Sequence, residues 1–233
     1  MQQTGKKALV REMFDGIAHR YDFLNHFLSL GIDNIWRKKA LKHLSSYQNA
    51  YILDVATGTG DFAIAALKYN PSGIVGVDLS AEMLKKGEEK MLKRGFSNII
   101  KLQLGDSENL LFENETFDVV TVAFGVRNFE NLEKGLSEIY RVLKVGGKAI
   151  ILEFSKPKGK FFGSLFNFYF FNILPIFGKL VSKHSSAYSY LPESVDAFPS
   201  GENFKTIMLK CGFGSVNAKT VTGGIASIYT GIK

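Results

Sequence analysis

Leu53-Asp54-Val55-Ala56-Thr57-Gly58-Thr59-Gly60-Asp61 is the stretch that decides how this chain is read. It begins inside a short apolar run, Tyr51-Ile-Leu-Asp-Val55, and leads into residues 62–69, which have helical spacing. A strand that passes through a Gly-rich turn into a helix is the opening unit of an open α/β sheet. Ligands of such sheets lie in the crevice at the carboxyl ends of the strands. Gly58 and Gly60 carry no Cβ, so the backbone there can approach a ligand closely. Asp78 ends the next apolar run, Gly73-Ile-Val-Gly-Val77, where its carboxylate can hold the two hydroxyls of a ribose.

Outward from this loop, strands and helices alternate. Residues 81–94 read as a helix with Ser80 as N-cap and Glu82 at its positive end. Residues 98–102, 117–123 and 148–153 read as further strands. Leu132, Leu136, Ile139 and Leu143 mark one face of a helix that Gly146-Gly147 closes. Continuous apolar strands separated by helices predict a parallel sheet covered on both faces. Residues 204–209 read as a helix. Residues 214–221 and 226–232 read as a terminal antiparallel hairpin about Thr222-Gly223-Gly224. Before the first strand, Val10, Met13, Phe14 and Ile17, then Trp36, Ala40, Leu41 and Leu44, predict a helical preface over 8–44. Residues 155–200 break the rhythm.

The 233 residues suit one domain, 1–233, with the preface at 1–45 and an insertion at 155–200. With 45% hydrophobic and 22% charged residues, a sizeable core is expected. The net charge of +7 fits a solvated basic surface, an anionic membrane surface or nucleic acid. Cys211 has no partner for an internal disulfide, which fits a reducing cytosol, and it reads as a small core residue. Residues 1–11 hold no apolar core of signal length, so a cytoplasmic protein is expected. His19, His26, His43 and His184 lack metal-ligand spacing, and no metal is expected. Of the 20 Phe, many fall in 161–177, where Asn167, Asn172 and Pro175 interrupt the apolar run. A cover over an apolar pocket, or an interfacial helix, suits that stretch better than a membrane span.

Charge separates two ligand classes. Gly58-x-Gly60-x-x-Ala63 satisfies dinucleotide spacing. A dinucleotide, however, sets its pyrophosphate at the helix N-terminus, and Asp54 and Asp61 flank that place and would repel it. S-adenosylmethionine (SAM) carries an ammonium and a sulfonium and no phosphate, and it suits an acidic loop. No Gly-Lys-Ser/Thr follows, which excludes a P-loop. Asp106 and Ser107, after the third strand, are placed to meet an adenine. The cofactor-binding candidates are therefore Asp54, Gly58, Thr59, Gly60, Asp61, Asp78, Leu79, Asp106 and Ser107.

At this point the chain resembles the class I SAM-dependent methyltransferases, and within them the UbiE/COQ5 family. The resemblance runs through Asp54 to Asp61, Asp78 and Asp106. It includes Met13-Phe14-Asp15-x-Ile17-Ala18-x-x-Tyr21-Asp22, Asn25 and Trp36-Arg37. It continues through Phe124-Gly-Val-Arg-Asn128, Leu152-Glu-Phe-Ser-Lys-Pro157, Tyr188-x-Tyr190-Leu191-Pro192-x-Ser194-Val195, Phe198-Pro199 and Thr222-Gly-Gly-Ile-Ala226. It implies a three-layer Rossmann-like α/β fold, with a seven-stranded, mostly parallel sheet and a C-terminal antiparallel hairpin. The family's SAM contacts would fall on Thr59, Asp78, Asp106 and Ser107. Ala123 replaces a Ser found in some members, and Val145 a Pro.

The resemblance further implies C-methylation of a reduced quinone ring, demethylmenaquinol being favoured over the benzoquinol of ubiquinone synthesis. A phenol near pKa 10 is mostly protonated at neutral pH, so a cation or base must help it ionise. Arg127 is the first candidate, as a fixed guanidinium beside the developing phenolate or as holder of a water. Asn128 would orient the acceptor, Tyr21, Asp22 and Asn25 would fold over it, and Glu153 is a weaker base candidate. The expected partners are a polyprenyl quinol and a peripheral membrane contact at the inner face, with a homodimer as the assembly considered and no nucleic acid. A nicotinamide-dependent oxidoreductase, an amino-group methyltransferase and a non-catalytic membrane module are the competing classes. The second lacks its Asn/Asp-Pro-Pro-Tyr run where Phe124-Gly-Val-Arg-Asn128 stands. Replacing Phe170 and Phe171 by Ser is expected to raise the requirement for a long-tailed acceptor. Equal responses of short- and long-tailed acceptors in a transfer assay would contradict a role for 161–177 along the tail.

Overall fold

The computed structural model describes residues 5–22, 29, 31–157, 159, 163–164 and 186–233. Asn25 and nearly all of 161–177 lie outside the described residues. The chain runs α1 (Lys6–Ile17), α2 (Ile32–Leu41), β1 (Tyr51–Val55), α3 (Asp61–Ala66), β2 (Gly73–Asp78), α4 (Ala81–Arg94), β3 (Ile100–Leu104) and β4 (Phe117–Ala123). It continues α5 (Leu132–Val142), β5 (Leu143–Phe154), α6 (Ser186–Ala197), α7 (Glu202–Lys210), β6 (Ser215–Val221) and β7 (Ala226–Ile232).

The strands form one sheet in the order β3-β2-β1-β4-β5-β7-β6. β1 pairs in parallel with both β2 and β4. The chain order therefore reverses between β1 and β4, which is where a crevice opens in such sheets. Only β7 runs antiparallel, between β5 and β6, as the hairpin reading expects.

Adjacent strand residues point to opposite faces, and both faces are covered. Leu53, Val55, Val77, Val120 and Val122 pack under Leu136, Ile139 and Val142 of α5 and Phe204 and Met208 of α7. Ile52, Ile74, Val119, Ile150 and Ile228 pack under Trp36, Ala40 and Leu41 of α2 and Phe62 and Ala66 of α3. This double burial is why β1, β2 and β4 read as continuous apolar runs.

Three boundaries differ from the sequence expectation, each for a local reason. β3 starts at Ile100 because the Phe96 carbonyl accepts the N–H groups of Ile99 and Ile100 and holds the chain in a turn. α5 ends at Val142, and Leu143 is already extended while its N–H still donates to the Ile139 carbonyl. Gly146-Gly147 lie inside β5 rather than ending α5: Gly146 adopts φ 77°, and a Cβ on Gly147 would stand 2.7 Å from the Lys144 carbonyl. The preface is divided. After α1 a 3-10 turn spans Ala18–Arg20, and α2 begins only after Gly31.

The helix after β2 agrees with its sequence signals. Ser80 Oγ accepts the Met83 N–H, and Gly95 closes the C-terminus at φ 73°. Gly87 lets α4 settle onto the loop after β1, since an added Cβ would stand 2.5 Å from Leu102 Cδ1 and 3.3 Å from the Thr59 carbonyl. Gly87→Ala is expected to cost about 1–3 kcal/mol in a urea melt, the usual range for overpacking.

Candidate active site

The loop after β1 is held from below by Asp54. This carboxylate is 1% exposed. It accepts from the Thr57 hydroxyl at 2.6 Å and from the Thr121 hydroxyl of β4 at 2.6 Å. Burial pushes its pKa up to about 6, with the hydrogen bonds of Thr121 and Thr57 pulling the other way. Asp54 thus ties the loop to the neighbouring strand across the point where the sheet order reverses.

Above it lies a cleft with a cavity volume of about 60 Å³, or about 670 Å³ when the open solvent space within it is included. Among the described residues, Ala56, Gly58, Asp78, Leu79 and Ser80 line its floor. Gly105, Ser107 and Glu108 line one end, and Ala123, Phe124, Gly125 and Asn128 the other. Asp78 Oδ2 accepts the Gly58 N–H at 2.8 Å and Oδ1 accepts the Ser80 N–H at 2.9 Å. Burial raises this carboxyl, while the backbone bonds favour its charge. Gly58 has φ 57°, and a Cβ there would stand 3.3 Å from Met83 Cε. Ala56 and Phe124, at the ends of β1 and β4, also hold positive φ (54° and 58°) without being Gly. A Cβ on Gly125 would come within 2.6 Å of the Ala56 Cβ. The two strand ends are drawn together under strain, a feature that clusters at functional sites.

α1 forms the roof through Lys7, Val10, Arg11 and Phe14, with Tyr21 beside it. Both its ends are tied down. Lys6 Nζ donates to the carbonyls of Arg127 and Phe129, each at 2.8 Å. Lys7 pairs with Asp106 at 2.8 Å and Glu108 at 3.2 Å. Burial opposes the Lys7 charge, yet these carboxylates outweigh it and raise its pKa. At the far end Asp15 accepts from the Ser80 hydroxyl.

Of the cofactor candidates, Gly58, Asp78, Leu79 and Ser107 line the cleft, and Asp106 sits at its rim under Lys7. Asp54 lies beneath the floor. Gly60, at φ 82°, packs against Met91, where a Cβ would stand 2.4 Å from Cε. Asp61 turns away from the cleft to Lys90 at 2.7 Å and Arg37 at 3.2 Å. Burial opposes its ionisation, but those two cations hold its carboxyl below the usual value. Thr59 turns the same way and takes a bond from Lys90 at 2.9 Å. The negative charge facing the cleft therefore comes from Asp78, with Glu108 lining one end but paired to Lys7, and not from the flanking pair Asp54 and Asp61 on which the sequence argument leaned.

Of the catalytic candidates, Tyr21 and Asn128 face the cleft. Asp22 bonds to Thr59 and Lys90. The Arg127 guanidinium lies on Glu153 at 2.8 Å, with Phe154 under it at 5.4 Å. Glu153 is fully buried and also accepts the N–H groups of Arg127 and Phe154, so it is a counter-ion to Arg127 rather than a free base. Arg127 Nε is buried with no partner among the described residues. Tyr190 of α6 donates its hydroxyl to Asn128 Oδ1 at 3.1 Å. Burial raises the Tyr190 pKa against a lowering by Arg127.

Glu108, Lys7 and Lys90 escaped the reading of the sequence, and Arg37 entered it only within the Trp36-Arg37 block, with no role. Glu108 could have been found from its place two residues after Asp106. Lys7 and Lys90 carry no local signal. Among the described residues no cluster of His, Cys, Asp and Glu is arranged for a metal, and no helix is long and apolar enough to cross a membrane.

A seven-stranded sheet of this order, with a Gly-rich loop, a cleft carboxylate after β2 and polar groups after β3, defines a class I SAM-dependent methyltransferase fold. A solved SAM-dependent methyltransferase from Aquifex aeolicus shares it, with a TM-score of 0.62 and 20% identity over 84% of this chain and 89% of that one. The ubiE/COQ5 methyltransferase family model matches residues 1–233, and the chain belongs to that family. It is 48% identical to a demethylmenaquinone methyltransferase of Bacteroides fragilis, over 98% of this chain and 94% of the relative. It is 47% identical to the ubiquinone/menaquinone biosynthesis C-methyltransferase UbiE of Geotalea daltonii, over 99% and 98%.

The fit of SAM to these residues rests on the cleft. Asp78 retains lone pairs for two hydroxyls beside its two backbone bonds. The Gly58 backbone leaves room that any Cβ would fill, and the Asp78 carboxylate suits a cation.

Asp54 gives a pH signature. Its folded pKa lies above the unfolded 3.8, so folding takes up a proton between these values and stability falls as pH rises from about 4 to about 6. A shift of this size is worth on the order of 3 kcal/mol. Urea midpoints across pH 4–7 are expected to show this component in the wild type and to lose it in Asp54→Asn.

Proposed function

We propose that the chain is a SAM-dependent C-methyltransferase that converts demethylmenaquinol to menaquinol, methylating the ring of a polyprenylated quinol in menaquinone biosynthesis. The observation that carries this reading is the cleft itself, with Asp78 on its floor and the Asn128–Tyr190 pair at the opposite end. Family membership and the names of its relatives support it.

SAM, when bound, supplies an electrophilic methyl group. Asp78 accepts from the ribose hydroxyls. Ser107 and the backbone about it meet the adenine, with Asp106 close by. Asn128, its amide fixed by Tyr190, bonds a ring hydroxyl and sets the angle of the acceptor. Arg127, next to Asn128, supplies a fixed positive charge that favours the ring phenolate, whose proton passes to a water. Glu153 fixes that guanidinium from behind. Phe14, Phe124 and Phe129, with Val10 and Met83, keep the reacting end apolar and exclude water. Removing water strengthens the pull of Arg127 on a developing phenolate.

The acceptor carries a lipid tail, so in this reading the chain works at the cytoplasmic membrane surface, where a net charge of +7 suits anionic lipid. The benzoquinol of ubiquinone synthesis is the second acceptor, favoured by the double name of the Geotalea daltonii relative.

Labelled methyl transfer from SAM, with both quinols offered side by side, is the test. Carbon-methylated naphthoquinol is expected to dominate by about tenfold, a difference of about 1.4 kcal/mol in barrier. Arg127→Met is expected to lower kcat on the order of a hundredfold with little change in SAM affinity. Transfer to neither quinol, or to oxygen, overturns the reading.

A further inference from the structure

Lys90 lies on α4, outside the cleft and outside every sequence signal. Its ammonium has three protons and three partners. Nζ donates to Thr59 Oγ1 at 2.9 Å and to Asp61 Oδ1 at 2.7 Å, and it pairs with Asp22 Oδ2. The Thr59 hydroxyl donates onward to the other Asp22 oxygen. Asp61 Oδ2 takes Arg37 at 3.2 Å, and Arg37 faces Asp33 at 3.6 Å. Charges therefore alternate from the end of the preface, through the Gly-rich loop and α3, to α2.

Two features set this apart from an ordinary surface pair, which contributes little. The first is desolvation. The Lys90 side chain is 15% exposed, against 39% for Lys86 on the same helix, whose pair with Glu89 is solvated. The second is position. Two of the three residues Lys90 grips stand next to one that lines the cleft: Thr59 follows Gly58, and Asp22 follows Tyr21. Those two meet across the cleft wall, since a Cβ on Gly58 would lie 3.8 Å from Tyr21 Cε1.

We propose that Lys90 is a positioning residue that couples the turn carrying Tyr21 and Asp22 to the loop carrying Gly58, so that donor binding and the seating of Tyr21 against that loop occur together. Without the ammonium, Asp22 loses its ionic link to Asp61, and the two carboxylates repel each other more strongly although Arg37 still holds Asp61. Their repulsion lifts Tyr21 and Asp22 from the loop, and the cleft loses its wall. Asp22 on this account acts through Lys90 and Thr59 and does not touch the acceptor. The proposal rests on SAM as donor, so titration of the wild type with SAM is the control. Failure of that titration refutes the donor, not the coupling.

The experiment measures SAM affinity by calorimetry, acceptor KM and kcat, and urea midpoints for Lys90→Met, Lys90→Arg, Asp22→Asn and the Lys90→Met/Asp22→Asn double variant. Lys90→Met is expected to weaken SAM about tenfold and to raise the acceptor KM more than it lowers kcat. Lys90→Arg is expected to restore affinity to within about threefold. The double variant is expected to bind SAM better than Lys90→Met alone, because removing the Asp22 charge relieves the repulsion that the lost ammonium exposed. Wild-type SAM affinity and KM in Lys90→Met with only the urea midpoint lowered would mean that Lys90 merely holds the fold, and the proposal fails. Simple additivity in the double variant overturns it too. If Lys90→Met does not fold, Asp22→Asn decides: a several-fold loss of SAM affinity supports the coupling, and none refutes it.

Discussion

The Asp54 carboxylate, sealed between Thr57 and Thr121, is the contact on which the rest of this molecule depends. It reaches from β1 to β4 at the place where the sheet reverses its order. Its two bonds set the path of the loop above it. That path aims the Gly58 N–H at Asp78 and brings Ala56 up against Gly125. A buried carboxylate is expensive, and burial raises this one to about 6. Hydrogen bonds from two hydroxyls offset part of that cost. The protein tolerates the remainder because the cleft is built on it.

Above this foundation the site is assembled by charges that neutralise one another in pairs. Lys7 lies between Asp106 and Glu108, Arg127 lies on Glu153, and Lys90 stands among Asp22, Thr59 and Asp61. Each pair joins a helix of the preface or a later connection to the edge of the sheet. The roof is therefore electrostatic at its margins and apolar at its centre, where Val10 and Phe14 face the cleft. Such an arrangement can admit a cation and exclude water at once. Asp78 alone spans the floor with both oxygens on backbone N–H groups, which fixes its direction without consuming its capacity to accept more bonds.

The paired cations also explain why the cleft's field differs from a count of its acids. Asp61 stands at the start of α3 in sequence, yet Lys90 and Arg37 take its charge away from the cleft. Glu108 lines the cleft in its place, but it too is paired, with Lys7 on one oxygen and the N–H groups of Glu130 and Asn131 on the other. Arg127 likewise spends its Nη1 on Glu153 and the Phe124 carbonyl, and its buried Nε has no partner among the described residues.

Sequence alone determined the alternation of strands and helices, the Ser80 cap, the terminal hairpin and the positions of Gly58 and Asp78. These follow from local physics: apolar runs buried on two faces, a hydroxyl beside free N–H groups, and glycine where φ turns positive. It also placed Arg127 and Asn128 after the fourth strand, but not which way they point. Tertiary structure alone decided that Asn128 faces the cleft while Arg127 turns to Glu153, that Asp22 answers to Lys90, and that α5 ends where β5 begins. Those outcomes depend on groups far apart in the chain that meet only once the sheet is formed. The charge on a carboxylate is written in the sequence, but the cation that neutralises it is chosen by the fold.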